Sequence, residues 1–434
     1  MKYHIETFGC QMNDHDSERL AGMLVGEGHS MAESLSEADI VILNTCCIRE
    51  KAEHKVFSEI GKLSKMKDRG KNMLIGVCGC IAQKEKGRII KKFPNVDIVF
   101  GTMNISSLPD ILRRVKNEKK VVDVREETAA TVTETPLLRS DGVKAWITIM
   151  EGCNNYCSYC IVPYVRGRER SRPAEQIIEE VERLAKEGYR EFTLLGQNVN
   201  SYMSHSQIEC DFTGLLERLN KIDEVLRIRF VTSHPKDFGE RLIYAMRDLE
   251  KVCRNIHLPV QCGSSKVLQM MNRGYTREEY MDNIKLLREI IPDVGITTDI
   301  IVGFSGETEA DFEETVSILR EIRYDSIFSF NYSPRKPAAS AKFLDDVSPS
   351  EKSRRLDIVQ TLQKKITLEK NIALEGEVES VLVDGKSKRA DDELMGRTEQ
   401  NRVVNFSGSQ SMLGRIVKVK ILQGHSNSLK GEIV

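Results

Sequence analysis

The first hundred residues alternate short apolar runs with stretches of helical periodicity. Each apolar run has the length of a strand, and a helix-like segment separates it from the next one. Strands are predicted at residues 3–8, 40–43, 73–77 and 96–100. Because strands and helices alternate, the pattern indicates an open and mostly parallel α/β sheet.

The middle of the chain repeats strand and helix six times from Val143 onward. The predicted strands lie at residues 143–151, 191–197, 226–232, 255–260, 295–303 and 326–332. Six βα units are too few for a closed eight-fold barrel. We therefore expect a partial (βα)6 barrel whose active site lies at the C-terminal ends of its strands.

The last part of the chain changes from helical to strand periodicity. Residues 350–371 have the pattern of a basic amphipathic helix. Its apolar side is formed by Leu356, Val359, Leu362 and Ile366. From Ala373 the pattern consists of short strands, and Asp384-Gly385 is typical of a hairpin turn. We expect a small antiparallel β barrel of OB-like character here.

These changes of pattern divide the chain into three domains. We expect them at residues 1–118, 139–369 and 370–434, with a connector at residues 119–138, where periodicity is lost. A length of 434 residues fits that number of domains and allows each to bury a core.

Composition limits the compartment and the partners. The formal net charge is −1, so any nucleic-acid contact must come from a local basic patch. The 11 cysteines are odd in number and partly clustered, which favours metal ligation in a reducing cytosol over a secreted disulfide framework. The N-terminus has no apolar signal-peptide core, and no apolar run approaches the ~20 residues of a membrane span. We therefore expect a cytoplasmic protein without a membrane partner.

Three cysteines follow the first strand of the predicted barrel. Cys153, Cys157 and Cys160 form a C-x3-C-x2-C pattern directly after the apolar run at residues 145–150. Three thiolates can hold three irons of a [4Fe–4S] cluster and leave one iron open to a small molecule, whereas electron-transfer clusters usually have four cysteines. The alternative is a zinc site with a distant fourth ligand, although structural zinc sites usually contain paired C-x2-C spacings.

Three other cysteines follow strands of the predicted N-terminal sheet. Cys10, Cys46 and Cys80 each lie just past a strand end, at intervals of 46 − 10 = 36 and 80 − 46 = 34 residues. Ligands of open α/β sheets bind at this edge. We therefore predict that the three thiols meet there and hold a second cluster with an open iron. The alternative is three ordinary buried thiols. The neighbouring Cys47 and Cys78 are interpreted as bystanders.

The segment from Gly152 to Arg168 resembles the cluster motif of the radical S-adenosylmethionine (SAM) enzymes, and more closely that of their methylthiotransferase branch. Residues 7–13, 44–50 and 79–83 resemble the three cluster motifs of the methylthiotransferase N-terminal domain, and they are most similar to those of the tRNA-modifying MiaB branch. Residues 370–434 resemble the TRAM domain, an RNA-binding module.

The resemblance implies a tRNA methylthiotransferase with two [4Fe–4S] clusters and SAM as cofactors. The implied reaction adds a methylthio group to carbon 2 of N6-isopentenyladenosine at position 37, in the anticodon stem-loop of tRNA. SAM would be both radical source and methyl donor. Since no acid–base side chain attacks an unactivated aromatic C–H, the chemistry is carried by the cofactors and no catalytic side chain is predicted.

Two alternatives stay open at this point. One is methylthiolation of N6-threonylcarbamoyladenosine in tRNA, and the other is an iron–sulfur RNA-binding protein without turnover. As partners we expect a flavodoxin- or ferredoxin-type electron donor and a sulfur-supplying system. We expect the protein to be a monomer.

Further polar residues are candidate ligand contacts. The candidate SAM contacts lie at other strand ends and are Gln197, Ser233, Gln261 and Asp299. Taken singly, each is equally compatible with a capped turn. The candidate RNA contacts are Arg166, Arg168, Arg170 and Arg172, which alternate with other residues just after the triplet, and Arg397 in the C-terminal domain. A solvated loop is the alternative for the first four, but their nearness to the cofactor site favours phosphate contacts.

Overall fold

The computed structural model describes residues 1–47, 50–125, 137–139, 142–387 and 393–434. Contacts divide the chain into two units. The N-terminal unit comprises residues 1–140, 150–154 and 160–172, and the C-terminal unit comprises residues 141–149, 155–159 and 173–434. No helix of the described residues is long and apolar enough to cross a membrane.

Strands and helices are numbered here along the described chain. The strands are β1 (Lys2–Phe8), β2 (Ser30–Met31), β3 (Ile40–Thr45), β4 (Leu74–Gly79), β5 (Ile98–Phe100), β6 (Val121–Asp123), β7 (Lys144–Thr148), β8 (Met150–Glu151), β9 (Arg170–Ser171), β10 (Glu191–Leu195), β11 (Met203–His205), β12 (Glu209–Asp211), β13 (Arg227–Phe230), β14 (Asn255–His257), β15 (Gly295–Val302), β16 (Ser326–Asn331), β17 (Val378–Lys386), β18 (Glu393–Arg397), β19 (Val403–Ser407), β20 (Ile416–Gly424) and β21 (Leu429–Ile433). The α-helices are α1 (Gln11–Gly26), α2 (Glu50–Asp68), α3 (Cys80–Glu85), α4 (Arg88–Lys92), α5 (Leu108–Val115), α6 (Val162–Val165), α7 (Ala174–Lys186), α8 (Phe212–Leu219), α9 (Glu240–Asp248), α10 (Ser265–Met270), α11 (Arg277–Ile290), α12 (Glu309–Ile322) and α13 (Pro349–Ile372).

The N-terminal unit is built on a parallel sheet in the strand order β2-β1-β3-β4-β5-β6. β3 is buried along its whole length, as expected for a parallel sheet covered on both faces. Its side chains alternate between two apolar cores, with Val41 and Leu43 in one and Ile40 and Ile42 in the other. The predicted open α/β sheet is confirmed.

The sheet extends further along the chain than the sequence predicted. β6 lies within residues 119–138, the predicted connector, and it pairs with β5 from Ile98↔Val121 to Phe100↔Asp123. Three residues are too few for a clear periodicity, so this edge strand left no pattern in the sequence. Residues 126–136 of the predicted connector lie outside the described residues.

The C-terminal unit contains two parallel three-stranded sheets, β7-β10-β13 and β14-β15-β16. A bridge between Ile228 and Val252, and a hydrogen bond of 2.9 Å from Cys253 N–H to Ile228 O, continue the pairing beyond β13. All six strands predicted for this region are present, and helices such as α7, α11 and α12 separate them. The predicted partial barrel is therefore confirmed.

The same unit ends in a closed barrel with the strand order β17-β18-β19-β21-β20. Its core is fully buried and includes Val381, Val404 and Phe406. The hairpin turn predicted at Asp384-Gly385 is wrong, because both residues lie inside β17, where the register against β18 shifts as in a β-bulge. The buried carboxylate of Asp384 binds Lys144 Nζ at 2.9 Å, which stabilises this bulge.

Helix α13 coincides closely with the predicted helix at residues 350–371. Its buried side combines Val359 and Ile366 with charged residues, and the predicted apolar Leu356 is only half-buried. Arg355 lies on the buried side because its guanidinium binds the carboxylate of Glu307 at 2.8 Å. Such pairing is invisible to a pattern that counts only apolar positions.

Candidate functional site

Three thiols lie at one edge of the N-terminal sheet and are called the strand-end thiols: Cys10, Cys46 and Cys80. β1, β3 and β4 are neighbours, and their last pairs are Phe8↔Thr45 and Thr45↔Gly79. Each thiol follows these paired positions by one or two residues. The register therefore brings the three thiols to one level, and a hydrogen bond joins Cys10 and Cys46.

Two buried side-chain amides join the start of α1 to the end of β3. Asn13 Nδ2 donates to Asn44 Oδ1 at 3.1 Å, and Asn44 Nδ2 donates to Asn13 O at 2.8 Å. The loop after β4 is set by Gly79, whose φ is +88°. A Cβ there would lie 2.4 Å from Thr45 O, so only glycine allows this approach before Cys80.

A buried arginine acts on the strand-end thiols. Arg166 Nη2 donates to Asp16 Oδ2 at 2.8 Å, and both residues are buried. The hydrogen bond with Cys46 lowers the pKa of Cys10 to about 6, with help from the charge of Arg166 and in spite of burial. The Cys10 thiol is therefore largely a thiolate near neutral pH, which is the form that binds metal.

Two further cysteines adjoin this site. A hydrogen bond with Cys47, aided by the charge of Arg166, lowers the pKa of Cys80 to about 7 in spite of burial. Cys78 lies inside β4, and burial raises the pKa of its thiol well above the ordinary value. Cys47, interpreted from sequence as a bystander, thus contacts a predicted ligand.

The second set of thiols is called the cysteine triplet: Cys153, Cys157 and Cys160. Cys153 and Cys160 belong to the N-terminal unit, where Cys153 N–H donates to Gly167 O at 3.2 Å. The preceding Gly152 has φ +80°, and a Cβ there would lie 2.1 Å from Arg168 O. Only glycine therefore lets this segment run beside residues 167–171.

Cys157 belongs to the C-terminal unit and is buried there beside Arg273. Arg273 Nη1 donates to Cys157 Sγ at 3.3 Å. The adjacent Asn272 donates from Nδ2 to the carbonyl oxygens of residues 155 and 156, at 3.3 and 3.1 Å. Two consecutive residues after α10 thus hold the loop that carries Cys157.

A backbone contact holds the same loop from the other side. Ser340 N–H donates to Ser158 O, and Ser158 N–H donates to Met271 O, both at 2.8 Å. Tyr332 Oη donates to Ser340 O at 3.0 Å. Sequence reasoning missed Asn272, Arg273 and Ser340, because backbone contacts and a lone arginine carry no motif.

Three of the four candidate SAM contacts follow the C-terminal ends of strands in the C-terminal unit, and the fourth lies within a strand. Gln197 follows β10, Ser233 follows β13, Gln261 follows β14, and Asp299 lies in β15. The structure joins two of them, since Gln261 N–H donates to Asp299 O at 2.9 Å. Ser233 Oγ is buried without a hydrogen-bond partner among the described residues.

The residue after Ser233 also presents an unpaired atom. His234 Nε2 is buried and has no partner in the part of the chain that the structure describes. Burial and the charge of Arg273 lower the pKa of His234 to about 2, so the imidazole is neutral. Because buried polar atoms are nearly always paired, two orphaned atoms at neighbouring positions indicate a place for a ligand.

The candidate RNA contacts differ in exposure. Arg168 is exposed, and Arg170 and Arg397 are half-buried. Arg166 and Arg172 are only 6% and 5% exposed. This burial leaves them no surface for a phosphate, so the prediction is kept for Arg168, Arg170 and Arg397 only.

The turn that contains Arg397 also fastens the barrel to β13. Arg227 Nη1 donates to Arg397 O, and Arg229 donates to the carbonyl oxygens of residues 398 and 399 at 2.7 and 2.8 Å. Arg229 Nε also binds Glu191 Oε2 at 2.9 Å. The segment that resembles an RNA-binding motif therefore has a structural role as well.

Three family models match the chain. "Uncharacterized protein family UPF0004" matches residues 2–101, "Radical SAM superfamily" matches residues 147–319, and "TRAM domain" matches residues 373–434. The radical SAM match includes the cysteine triplet, and the first match includes the strand-end thiols.

Two curated relatives are each 48% identical to this chain. One is the tRNA-2-methylthio-N(6)-dimethylallyladenosine synthase of Thermoanaerobacter sp. (strain X514), whose match covers 100% of this chain and 92% of the relative. The other carries the same name in Clostridium botulinum (strain Okra / Type B1) and covers 99% and 96%. The chain belongs to this family of radical SAM tRNA methylthiotransferases.

Solved structures share the fold of this methylthiotransferase at low sequence identity. The radical SAM methyltransferase TsrM from Kitasatospora setae matches with a TM-score of 0.53 and 14% identity, over 76% of this chain and 72% of that chain. The cobalamin-dependent radical SAM enzyme OxsB matches with a TM-score of 0.54 and 12% identity, over 83% and 56%. At such identities the likeness shows the fold alone.

Membership of the methylthiotransferase family implies a [4Fe–4S] cluster and SAM, and the residues present fit both. The triplet supplies three thiols, and Arg273 supplies a positive charge at one of them. Ser233 Oγ and His234 Nε2 supply two buried polar atoms that have no partner among the described residues. Within the described residues, no three His, Cys, Asp or Glu side chains converge on one metal ion.

Proposed function

We propose that this protein adds a methylthio group to carbon 2 of N6-isopentenyladenosine at position 37 of tRNA, using two [4Fe–4S] clusters and SAM. The observation that carries the proposal is the presence of two separate sets of three cysteines, the strand-end thiols and the cysteine triplet. The name of the relatives, which specifies a 2-methylthio product on dimethylallyladenosine of tRNA, supports the same substrate here.

The two sets of cysteines have different tasks in this proposal. The triplet holds the cluster that binds SAM, and Asn272 and Ser340 hold the loop around Cys157. When bound, that cluster and SAM supply a radical able to attack an unactivated aromatic C–H. The strand-end thiols hold the second cluster, close to which the sulfur is delivered, and SAM also provides the methyl group.

SAM binds at the C-terminal face of the partial barrel in this proposal. The polar groups that we assign to it are Gln197, Ser233, Gln261 and Asp299. Ser233 Oγ and the neutral His234 Nε2 are the most specific of these groups, because both are buried and still lack a partner among the described residues. Each can form one new hydrogen bond with a ribose, adenine or methionine atom.

The anticodon stem-loop is the macromolecular partner. Unpaired loop bases can be splayed out into an enzyme at low cost, and Arg168, Arg170 and Arg397 provide phosphate contacts. We assign these tasks to an N-terminal domain (1–118), a radical SAM core (139–369) and an RNA-binding TRAM domain (370–434). We assign the reaction to the cytoplasm. A monomer, a flavodoxin- or ferredoxin-type electron donor and a sulfur-supplying system complete the proposal.

Alanine variants of the triplet test the proposal. Replacement of any one of Cys153, Cys157 and Cys160 should abolish 5′-deoxyadenosine formation from SAM, because each holds a different iron. Chromatography of the reduced reaction and mass spectrometry of tRNA nucleosides measure both products. The matched control is Cys210→Ala, a buried cysteine in β12, which should keep both activities.

Three outcomes would contradict parts of the proposal. A triplet variant with near wild-type SAM cleavage would refute the ligand assignment. A methylthiolated threonylcarbamoyladenosine product would change the substrate. A wild-type protein that binds iron and tRNA but forms no 5′-deoxyadenosine would be a binding protein without turnover.

A further inference from the structure

Arg273 is a buried cation without a carboxylate partner. It is 4% exposed, and no acidic side chain forms an ion pair with it among the described residues. Its guanidinium donates to Pro259 O at 2.8 Å, Tyr275 Oη at 2.9 Å, Tyr159 Oη at 3.3 Å and Cys157 Sγ at 3.3 Å. Of these four acceptors, Cys157 Sγ is the one that belongs to a predicted cluster ligand.

Two other buried arginines of the same unit have a carboxylate partner. Arg229 binds the carboxylate of Glu191 at 2.9 Å, and Arg355 binds that of Glu307 at 2.8 Å. A buried charge is strongly unfavourable unless an opposite charge compensates it. The fold supplies a carboxylate in these two cases and a cysteine sulfur in the case of Arg273. Arg273 therefore places its charge at the sulfur of Cys157, a predicted cluster ligand.

We propose that Arg273 is a positioning residue of the SAM-binding cluster, which orients the sulfur of Cys157 and raises the reduction potential of that cluster. The proposal rests on the proposed function, since it requires the triplet to hold iron. The step concerned is the transfer of one electron from the flavodoxin- or ferredoxin-type donor. The donor is oxidised, the cluster is reduced, and no bond or proton is exchanged.

The physical reason is the charge that reduction adds. Cluster potentials depend on net charge and on hydrogen bonds to the sulfurs, and Arg273 supplies both at one ligand. A buried cation stabilises the more negative, reduced state more than the oxidised one. The low local dielectric strengthens this effect, because little water lies near a guanidinium that is almost fully buried.

Substitution of Arg273 tests the proposal with a readout other than turnover. We expect Arg273→Met to make reduction at least tenfold less favourable, which for a one-electron couple is a fall of about 59 mV in midpoint potential. Arg273→Lys keeps the charge but loses the planar guanidinium group. The fall in midpoint potential should therefore be less than half as large as in Arg273→Met. The midpoint is measured by redox titration of the electron paramagnetic resonance signal that changes on addition of SAM.

Asn272→Gly is the matched control. Asn272 holds the same loop through two neutral hydrogen bonds and has φ +56°, a conformation that glycine adopts without strain. This variant loses the support of the loop but keeps the cation. We expect its loaded cluster to titrate at the wild-type potential, which separates the effect of charge from that of loop anchoring.

The outcomes decide between the proposals. Wild-type potential and wild-type iron content in Arg273→Met would overturn the role of Arg273. If Arg273→Met takes up no iron, recovery of iron in Arg273→Lys supports the need for a cation, and failure of both overturns it. A wild-type protein without any SAM-responsive signal would instead contradict the proposed function itself.

Discussion

At the scale of single residues, the pair of Arg166 and Asp16 is the least expected feature of the N-terminal unit. Both are buried, and their side chains lie 2.8 Å apart. Arg19 Nη1 lies 3.8 Å from the second oxygen of the same carboxylate. Asp16 is therefore the main counter-charge in a basic region next to the strand-end thiols.

Loss of that carboxylate should destabilise the N-terminal unit. We expect Asp16→Asn to lower the free energy of unfolding by ~3–5 kcal/mol, because a buried guanidinium loses its charged partner. Urea denaturation measures the change, and hydrogen exchange of the amides in α1 localises it. The control is Arg168→Met, which alters an exposed arginine two residues after Arg166. It should change the free energy of unfolding by less than about 0.5 kcal/mol. Equal losses in the free energy of unfolding for Asp16→Asn and Arg168→Met would show that burial of the ion pair does not determine its contribution to stability.

Residue identity alone could predict the cysteines but not the environment of the arginines. Cys10, Cys46 and Cys80 could be predicted because each follows an apolar run, and parallel strands end at one edge. Arg166 and Arg168 look alike in sequence, yet one is buried and the other is exposed. The difference depends on Asp16, which is 150 residues away in the chain.

At the scale of elements, the strand β13 belongs to the sheet of the partial barrel and also contacts the small closed barrel. Arg227 and Arg229 are buried side chains of β13, and both donate to carbonyl oxygens of residues 397–399. Glu191, at the start of the neighbouring β10, compensates the charge of Arg229 at 2.9 Å. One strand of the partial barrel therefore also forms the contact with the small closed barrel, which is called the seam: β13 against residues 397–399.

A double-mutant cycle can measure this seam. We expect Arg229→Met to lower the free energy of unfolding by ~3–5 kcal/mol, because Glu191 is left as an unpaired buried charge. The double variant Glu191→Gln/Arg229→Met should recover part of that loss, since no unpaired charge remains. Denaturant unfolding of the two single variants and the double variant measures the coupling. Strictly additive losses would show that the two side chains do not act as a pair.

The elements could be predicted better than their connections. All six barrel strands agree with their predicted ranges to within about three residues at both ends, because their apolar runs are long and bounded by polar segments. The predicted turn at Asp384-Gly385 is wrong, since the half-buried Lys144 binds the buried carboxylate of Asp384 inside a strand. A local turn signal cannot include a partner that lies 240 residues away in the chain.

At the scale of the whole molecule, the chain carries two sets of three thiols in different structural settings. The strand-end thiols come from three loops of one sheet, whereas the triplet lies within one short segment. Pattern and family resemblance together predicted both sets. The supporting residues around them, such as Asn13, Asn44 and Arg273, became visible only in the folded chain.

Removal of the strand-end thiols should separate the tasks of the two sets. A variant with Cys10, Cys46 and Cys80 all replaced by alanine should retain about half of the iron and sulfide, because one of two similar clusters is lost. It should still form 5′-deoxyadenosine and should make no methylthiolated nucleoside. Iron analysis and nucleoside mass spectrometry measure both effects. Cys78→Ala is the control and should keep the full iron content and the methylthiolated product. Full iron content in the triple variant would instead show that Cys10, Cys46 and Cys80 are ordinary buried core thiols.

The seam between β13 and residues 397–399 also determines where this chain can be cut. A truncation after residue 369 would remove the carbonyl acceptors of two buried guanidinium groups, those of Arg227 and Arg229. We therefore expect the shortened enzyme to lose solubility as well as RNA contacts. Engineers who wish to graft a different RNA-binding module onto this core should therefore keep the turn at residues 397–401 and exchange only the outer strands. Charge reversal of exposed residues on the full-length chain is the cleaner way to weaken tRNA binding.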